Sequence, residues 1–256
     1  MPKQKIRIYT IHSQKGGVGK TSLAVAIAGW SSLEHKQKTL IIDCDLTGTS
    51  LIDLFWKYDT KQQNDGEIYY LNRLLLASPK TFSGYEEGDM ESTFYLTVPN
   101  CKDLYYIPSS PVLEDIRSIV ALISQENMLH FFQSRMADML RLVVKSEIET
   151  IIIDNPPGLF GLSRAMINLE ISSEDNWEKK ALFMVTSDRI DYRAMLASFS
   201  QYWEEKKQAN KAKIGVGGFD FLLNKVSGKK FREPVFAWQA ILDDLKAFPD
   251  ARSVNE

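Results

Sequence analysis

Lys15-Gly-Gly-Val-Gly-Lys20-Thr21 is the stretch that decides how this chain folds. An apolar run, Ile6-Arg-Ile-Tyr-Thr-Ile11, precedes it, and a helical pattern, Ser22-Leu-Ala-Val-Ala-Ile-Ala28, follows. Strand, glycine-rich turn and helix, in that order, make a phosphate-binding loop. The glycines let backbone N–H groups converge on a phosphate, and the new helix adds its positive end. In such a loop Lys20 holds the β- and γ-phosphates of a nucleotide, and the Thr21 hydroxyl faces Mg2+. Gly16, Gly17, Val18, Gly19 and Ser22 belong to the same cradle. Lys15 is a second cation placed ahead of the usual one, and Gln14 stands where the common form of the loop has a glycine.

Outward from the loop, apolar runs alternate with helical stretches. Strands are expected at about 5–11, Thr39–Asp43, Leu104–Pro108, Thr150–Asp154, Ala181–Thr186 and Gly218–Asn224. Helices are expected at about 20–34, from Thr49 or Ser50, and at 68–77, 112–145 and 191–208. The strands are continuously apolar rather than alternating, which predicts a parallel sheet covered on both faces. The strand–helix alternation predicts a doubly wound α/β fold with a mostly parallel sheet, the P-loop NTPase architecture. At 256 residues a single domain over 1–256 is expected. Residues 59–100, with Asn64-Asp-Gly, Ser83-Gly and the acidic patch Glu86-Glu-Gly-Asp, read as an irregular surface excursion.

Composition excludes several function classes. Net charge is −2, so no whole-protein field favours nucleic acid or an anionic membrane, and DNA as a partner is not indicated by charge. Gly228-Lys-Lys-Phe-Arg232 is the best basic patch and reads as an ordinary solvated loop. Cys44 and Cys101 have no metal spacing, which fits a reducing compartment. No signal peptide and no apolar run of about 18 residues is visible. A soluble, cytoplasmic protein without a membrane partner is the expectation. His12, His35 and His130 form no ligand spacing and read as structural or solvent-facing residues.

Carboxylates close two of the strands. Asp43-Cys44-Asp45 ends the second, and in a doubly wound sheet ligands sit beyond the carboxyl ends of strands. Both carboxylates come near the phosphate loop if this strand neighbours the first. Asp45 lies further out and suits contact with an attacking water or a Mg2+-bound water. Asp43 suits either that role or orientation of the loop. Asp154 terminates Thr150-Ile-Ile-Ile, placing a carboxylate where it can hold the Mg2+ shell. Asn155-Pro-Pro-Gly158 then turns sharply, and Gly158 lets the chain pass close to a phosphate. Asn224 closes the last clear strand.

With these residues in hand, the chain resembles the ParA/MinD family of deviant Walker A ATPases, and Gln14 is more like its ParA branch. The resemblance covers most of residues 5–225 and implies ATP and Mg2+ as ligands. It implies that Asp45 is the switch I aspartate of hydrolysis, that Gly158 senses the γ-phosphate through its backbone, and that Asn224 bonds the adenine edge. It further implies that Lys15 reaches the ATP of a twin subunit, so that ATP binding drives homodimerisation. Slow hydrolysis, stimulated by a protein partner, would then release the dimer and position or partition a cargo. The family usually continues with a further strand and helices beyond this point, and the C-terminal part here looks short by that element. An ATP-dependent synthetase on the same scaffold, or a nucleotide-binding scaffold with little turnover, remain the alternatives.

Overall fold

A strand that is apolar at every position can be satisfied only between two layers, because successive side chains point to opposite faces. That is the arrangement found. In the computed structural model, which describes residues 5–47, 50–56, 70–77, 96–98, 100–123, 125–145, 147–169, 177–186, 188–208 and 218–224, a seven-stranded sheet forms the centre. Its strands are β1 (Ile6–His12), β2 (Thr39–Asp43), β3 (Leu96–Thr97), β4 (Leu104–Ile107), β5 (Thr150–Asp154), β6 (Trp177–Thr186) and β7 (Gly218–Asn224). The order across the sheet is β3-β4-β2-β5-β1-β6-β7. Every pairing is parallel except β3 with β4 at one edge. The doubly wound α/β fold expected from the sequence is therefore present.

The helices are α1 (Lys20–Gly29), α2 (Ser50–Trp56), α3 (Leu71–Leu76), α4 (Leu113–Ile123), α5 (Leu129–Lys145), α6 (Gly161–Ile167) and α7 (Arg189–Gln208). On one face Ala24 and Ala28 of α1, with Leu51 and Phe55 of α2, pack over Ile11, Ile41 and Ile152. On the other, α3, α5 and α6 cover Ile8, Leu40, Ile42, Ile151 and Ile153. Fully burying one such aliphatic side chain contributes roughly 1.5–3 kcal/mol. This double layer fixes the strand ends as a rigid rim on which the site is built.

Several expectations change in detail. The helix read over 20–34 ends at Gly29, and Trp30–Glu34 continues as a wider π turn closed by a His35 N–H to Trp30 C=O bond. The helix read over 112–145 is broken, because the Gln125 and Met128 N–H groups bond three residues back and tighten the chain between α4 and α5. Within the excursion read over 59–100, α3 returns to the interior and buries Leu71, Leu74 and Leu75. β2 does not neighbour β1, because β5 lies between them. The parallel register nevertheless sets Asp43 level with Asp154, and Ile11 level with Asp154 on the other side. The acidic patch at 86–89, the basic patch at 228–232 and the stretch beyond Asn224 lie outside the described residues. No helix among the described residues is long and apolar enough to cross a membrane.

Candidate active site at the strand ends

The loop leaves β1 at His12 and enters α1 at Lys20. Gly17 and Gly19 both take the left-handed backbone, with φ of 70° and 99°, which turns the loop back on itself. A Cβ at Gly16 or Gly17 would meet no atom within 4 Å, so the loop presents an open concave backbone. The first turn of α1 has no side-chain cap and no acidic residue. Its free N–H groups and partial positive charge therefore face the loop, as anion binding requires. Lys20 is buried beside this turn, and burial lowers its pKa against the raising influence of Asp154 and Asp45.

The strand-end carboxylates stand opposite. The Thr21 hydroxyl donates to Asp154 Oδ2 at 2.5 Å, while the buried Asp154 Oδ1 has no hydrogen-bond partner. Burial pushes the Asp154 carboxyl up to about 6, Asp45 adding to the effect and Thr21 and Lys20 opposing it. Asp43 is fully buried; it is raised to about 7, by burial first and then by Asp154. It accepts bonds from Ser109 Oγ at 3.0 Å and from the N–H groups of Asp45 at 3.1 Å and Leu51 at 3.4 Å. Asp43 thus holds the loop that carries Asp45. Asp45 itself is half-buried, and its Oδ1 accepts from the Thr47 hydroxyl at 2.9 Å. Carboxylates this close cost free energy unless a proton or a cation sits among them.

An orphaned buried oxygen beside a hydroxyl is a donor set that suits a hard cation. Among the described residues no three His, Cys, Asp or Glu side chains cluster as a self-sufficient metal site. Thr21 and Asp154 instead supply the partial set that Mg2+ uses when nucleotide phosphates provide the rest. The residues present fit the ion.

The turn after β5 is tied to the end of β1 at successive residues. Asn155 donates from its backbone N–H at 3.2 Å and from its side chain at 3.1 Å, both to Ile11 C=O. Gly158, with φ of 92°, donates its N–H to Ser13 C=O at 2.7 Å. A Cβ there would fall on the Phe160 ring, so no other residue fits without displacing it. Ser13 in turn donates its hydroxyl to Lys15 C=O. Lys15 is exposed, with Nζ 3.9 Å from Asp188, and Ser22 is exposed. Asn224 lies against the loop: its Nδ2 donates to Val18 C=O at 2.8 Å.

The structure brings Gly16 to Ser22, Asp45, Asp154, Gly158 and Asn224 to one rim. Sequence reading missed the groups that hold them. Ser109 is one; its signal was Pro108-Ser-Ser at the end of the strand that borders β2. His12 is another. It is fully buried, bonded through Nε2 to Thr10 Oγ1 and through Nδ1 to Ser163 Oγ, both at 2.9 Å. Burial, with Lys179 and Lys20 nearby, lowers it to about 3 and keeps it neutral.

Residues 6–172 match the family described as an AAA domain. A chromosome partitioning protein ParA of Myxococcus xanthus is 32% identical over 153 residues. That match covers 60% of this chain and 45% of the relative, so the chain accounts for less than half the curated relative's length. A plasmid partition protein of Borrelia burgdorferi bound to AMPPNP superposes with a TM-score of 0.60 at 18% identity, over 96% of this chain and 84% of that one. The MinC:MinD cell division complex of Aquifex aeolicus gives 0.57 at 16% identity, over 94% and 78%. At those identities the solved structures establish the fold.

Proposed function

Because this chain belongs to the ParA/MinD family of deviant Walker A ATPases, we propose that it binds ATP with Mg2+ and switches between a monomer and a nucleotide-bound dimer to position a cellular cargo. The observation that carries the reading is the pairing of an uncapped helix start and open glycine cradle with Thr21 and a buried Asp154 oxygen that has no partner. In this reading the loop backbone and Lys20 take the β- and γ-phosphates. Thr21 and Asp154 hold the metal, with Asp45 reaching it or the attacking water. Mg2+ supplies charge neutralisation on the transferring phosphoryl group. Asn224, bonded to Val18 C=O, takes the adenine edge in the same reading, as the family resemblance implies.

Lys15 is the residue of the switch. Its exposure and its single weak pairing with Asp188 leave the ammonium able to extend across an interface. A cation delivered to a transferring phosphoryl group contributes on the order of 10³-fold or more in rate. Turnover is slow until a partner protein acts, and ATP hydrolysis releases the dimer. The likeness to a chromosome partitioning protein supports this as a positioning engine.

Calorimetry with ATP and Mg2+, followed by light scattering, tests the proposal. Wild type should bind and dimerise. Lys15→Ala should keep ATP binding yet lose both the ATP-driven dimer and about 10³-fold in hydrolysis. No heat of binding with wild type, or an unchanged mutant dimer, refutes it.

A further inference from the structure

The short helix α6 is fastened at one end to β6 and at the other to β1, the strand that leads into the phosphate loop. At its C-terminal end, Lys179 of β6 donates its Nζ to the carbonyls of Met166, Ile167 and Leu169, at 3.0, 2.9 and 2.6 Å. A cation in that position adds a charged donor to carbonyls at the negative end of the helix, where Met166 C=O has only the long bond from the Leu169 N–H at 3.3 Å. At its first turn, Ser163 is bonded to the His12 ring. His12 cannot turn away, since its other nitrogen is bonded to Thr10 and its ring stacks on Phe183 with centroids 5.4 Å apart. His12 is also the last residue of β1, directly before the phosphate loop.

Between the fixed points Asn155 and Ser163 lies the turn that carries Gly158. Its glycines at 158 and 161 both have positive φ, and Phe160 is exposed. The Gly158 N–H is engaged with Ser13 C=O. To meet a γ-phosphate that N–H must leave Ser13, and the turn can deliver it only if both of its ends stay fixed.

We infer that His12 is a positioning residue for γ-phosphate sensing: through Ser163 it fixes α6 as the abutment against which the turn 156–160 closes. The inference rests on the proposed nucleotide reading and names a residue of that site's regulation. His12 touches no phosphate. It acts on the part of the site that distinguishes a third phosphate, while the α- and β-phosphates are held by the loop and α1 alone.

The test compares ADP with AMPPNP by calorimetry, each with Mg2+. Ser163→Ala removes only the hydroxyl, and Ser163→Thr restores it. His12→Asn retains a polar atom near the Nδ1 position and gives up the bond to Thr10. Ser163→Ala should lower AMPPNP affinity about tenfold relative to ADP, within the usual range for coupled sites. Ser163→Thr should recover most of that ratio, and His12→Asn should fall between. A role confined to stability would lower the melting temperature and leave the ratio of the two affinities unchanged. A ratio within twofold of wild type in Ser163→Ala, or equal losses for both nucleotides, overturns the inference while the nucleotide reading stands. Wild type binding neither nucleotide overturns both.

Discussion

Asp43→Asn should gain stability relative to wild type as pH rises from 5 to 8. Asp43 is fully buried at the end of β2, register partner of Asp154, and its carboxyl is raised to about 7. In the unfolded chain it titrates near 3.8. Between those values the folded state holds a proton that the unfolded state has released, so stability falls as pH rises. Each unit of separation is worth about 1.4 kcal/mol. From pH 5 to pH 8 Asp43 therefore costs about 3 kcal/mol, and Asp154, raised to about 6, costs about 1 kcal/mol. The two titrate as a pair, so the sum is an upper bound. His12 opposes them. Lowered to about 3, it binds a proton only on unfolding, and stability from it rises by about 2 kcal/mol over the same range. The asparagine keeps the oxygen that accepts the Asp45 N–H, and loses the acceptor for Leu51 and Ser109. That loss does not depend on pH and cancels when the variant-minus-wild-type difference is compared at two pH values. Urea unfolding without nucleotide or Mg2+ at pH 5 and pH 8 measures it. The difference should move in favour of the variant by about 3 kcal/mol. A difference that stays constant, or moves the other way, refutes the claim that a charge on Asp43 is the cost.

Two substitutions elsewhere test the supports of the loop and of α6. Gly19→Ala forces a side chain onto φ of 99° and sets its Cβ 2.7 Å from Asn224 Nδ2, so it should cost about 1–2 kcal/mol from the backbone alone and weaken nucleotide binding. Asn224→Ala in the same chain should return only the steric share, measured by thermal and urea unfolding; full recovery would show that the backbone is not strained. Lys179→Met removes the ammonium that bonds three carbonyls at the end of α6, of which Met166 C=O keeps the Leu169 N–H, and should destabilise by about 2 kcal/mol in urea unfolding. An unchanged midpoint would mean that solvent replaces the ammonium.

The strands and the loop were legible because each is a local signal. An unbroken apolar run such as Thr39-Leu-Ile-Ile or Thr150-Ile-Ile-Ile can only be buried on both faces, and the glycines at 16, 17 and 19 need a backbone that other residues resist. Asp154 was legible for the same reason, as a charge that closes such a run. Strand order was not. Nothing in Asp43-Cys44-Asp45 says that β5 lies between β2 and β1, because order is set by which crossovers pack over which face. The partners of Asp43 and His12 were hidden by distance along the chain. Ser109 lies 66 residues from Asp43, and Ser163 lies 151 from His12. A histidine on an apolar strand carries no mark of whether its ring is merely packed or tied to another element. α3 was read as part of a surface excursion because the residues around it are polar, and its burial follows from the end of β4, where the Pro108 C=O just past the strand receives the Leu71 N–H.

What the parallel topology does to these carboxylates links stability to chemistry. Parallel strands end at one level, so a charge that closes each strand is brought beside the next without any local attraction between them. Asp43 and Asp154 meet in this way, and Lys20 offsets only part of the cost, since its own ammonium is destabilised by burial. The folded chain therefore holds an acidic rim that binds protons more readily than isolated carboxyls do. Any ligand that brings a cation to Asp154 Oδ1 removes the same cost that protonation removes, and so is favoured by the fold before it makes a single further contact. The glycine cradle next to it attracts the opposite charge. A phosphate chain carrying its own cation is the class of ligand that answers both demands at once, and the distance along the rim between them is set by the one strand, β1, that lies beside β5 and feeds the loop.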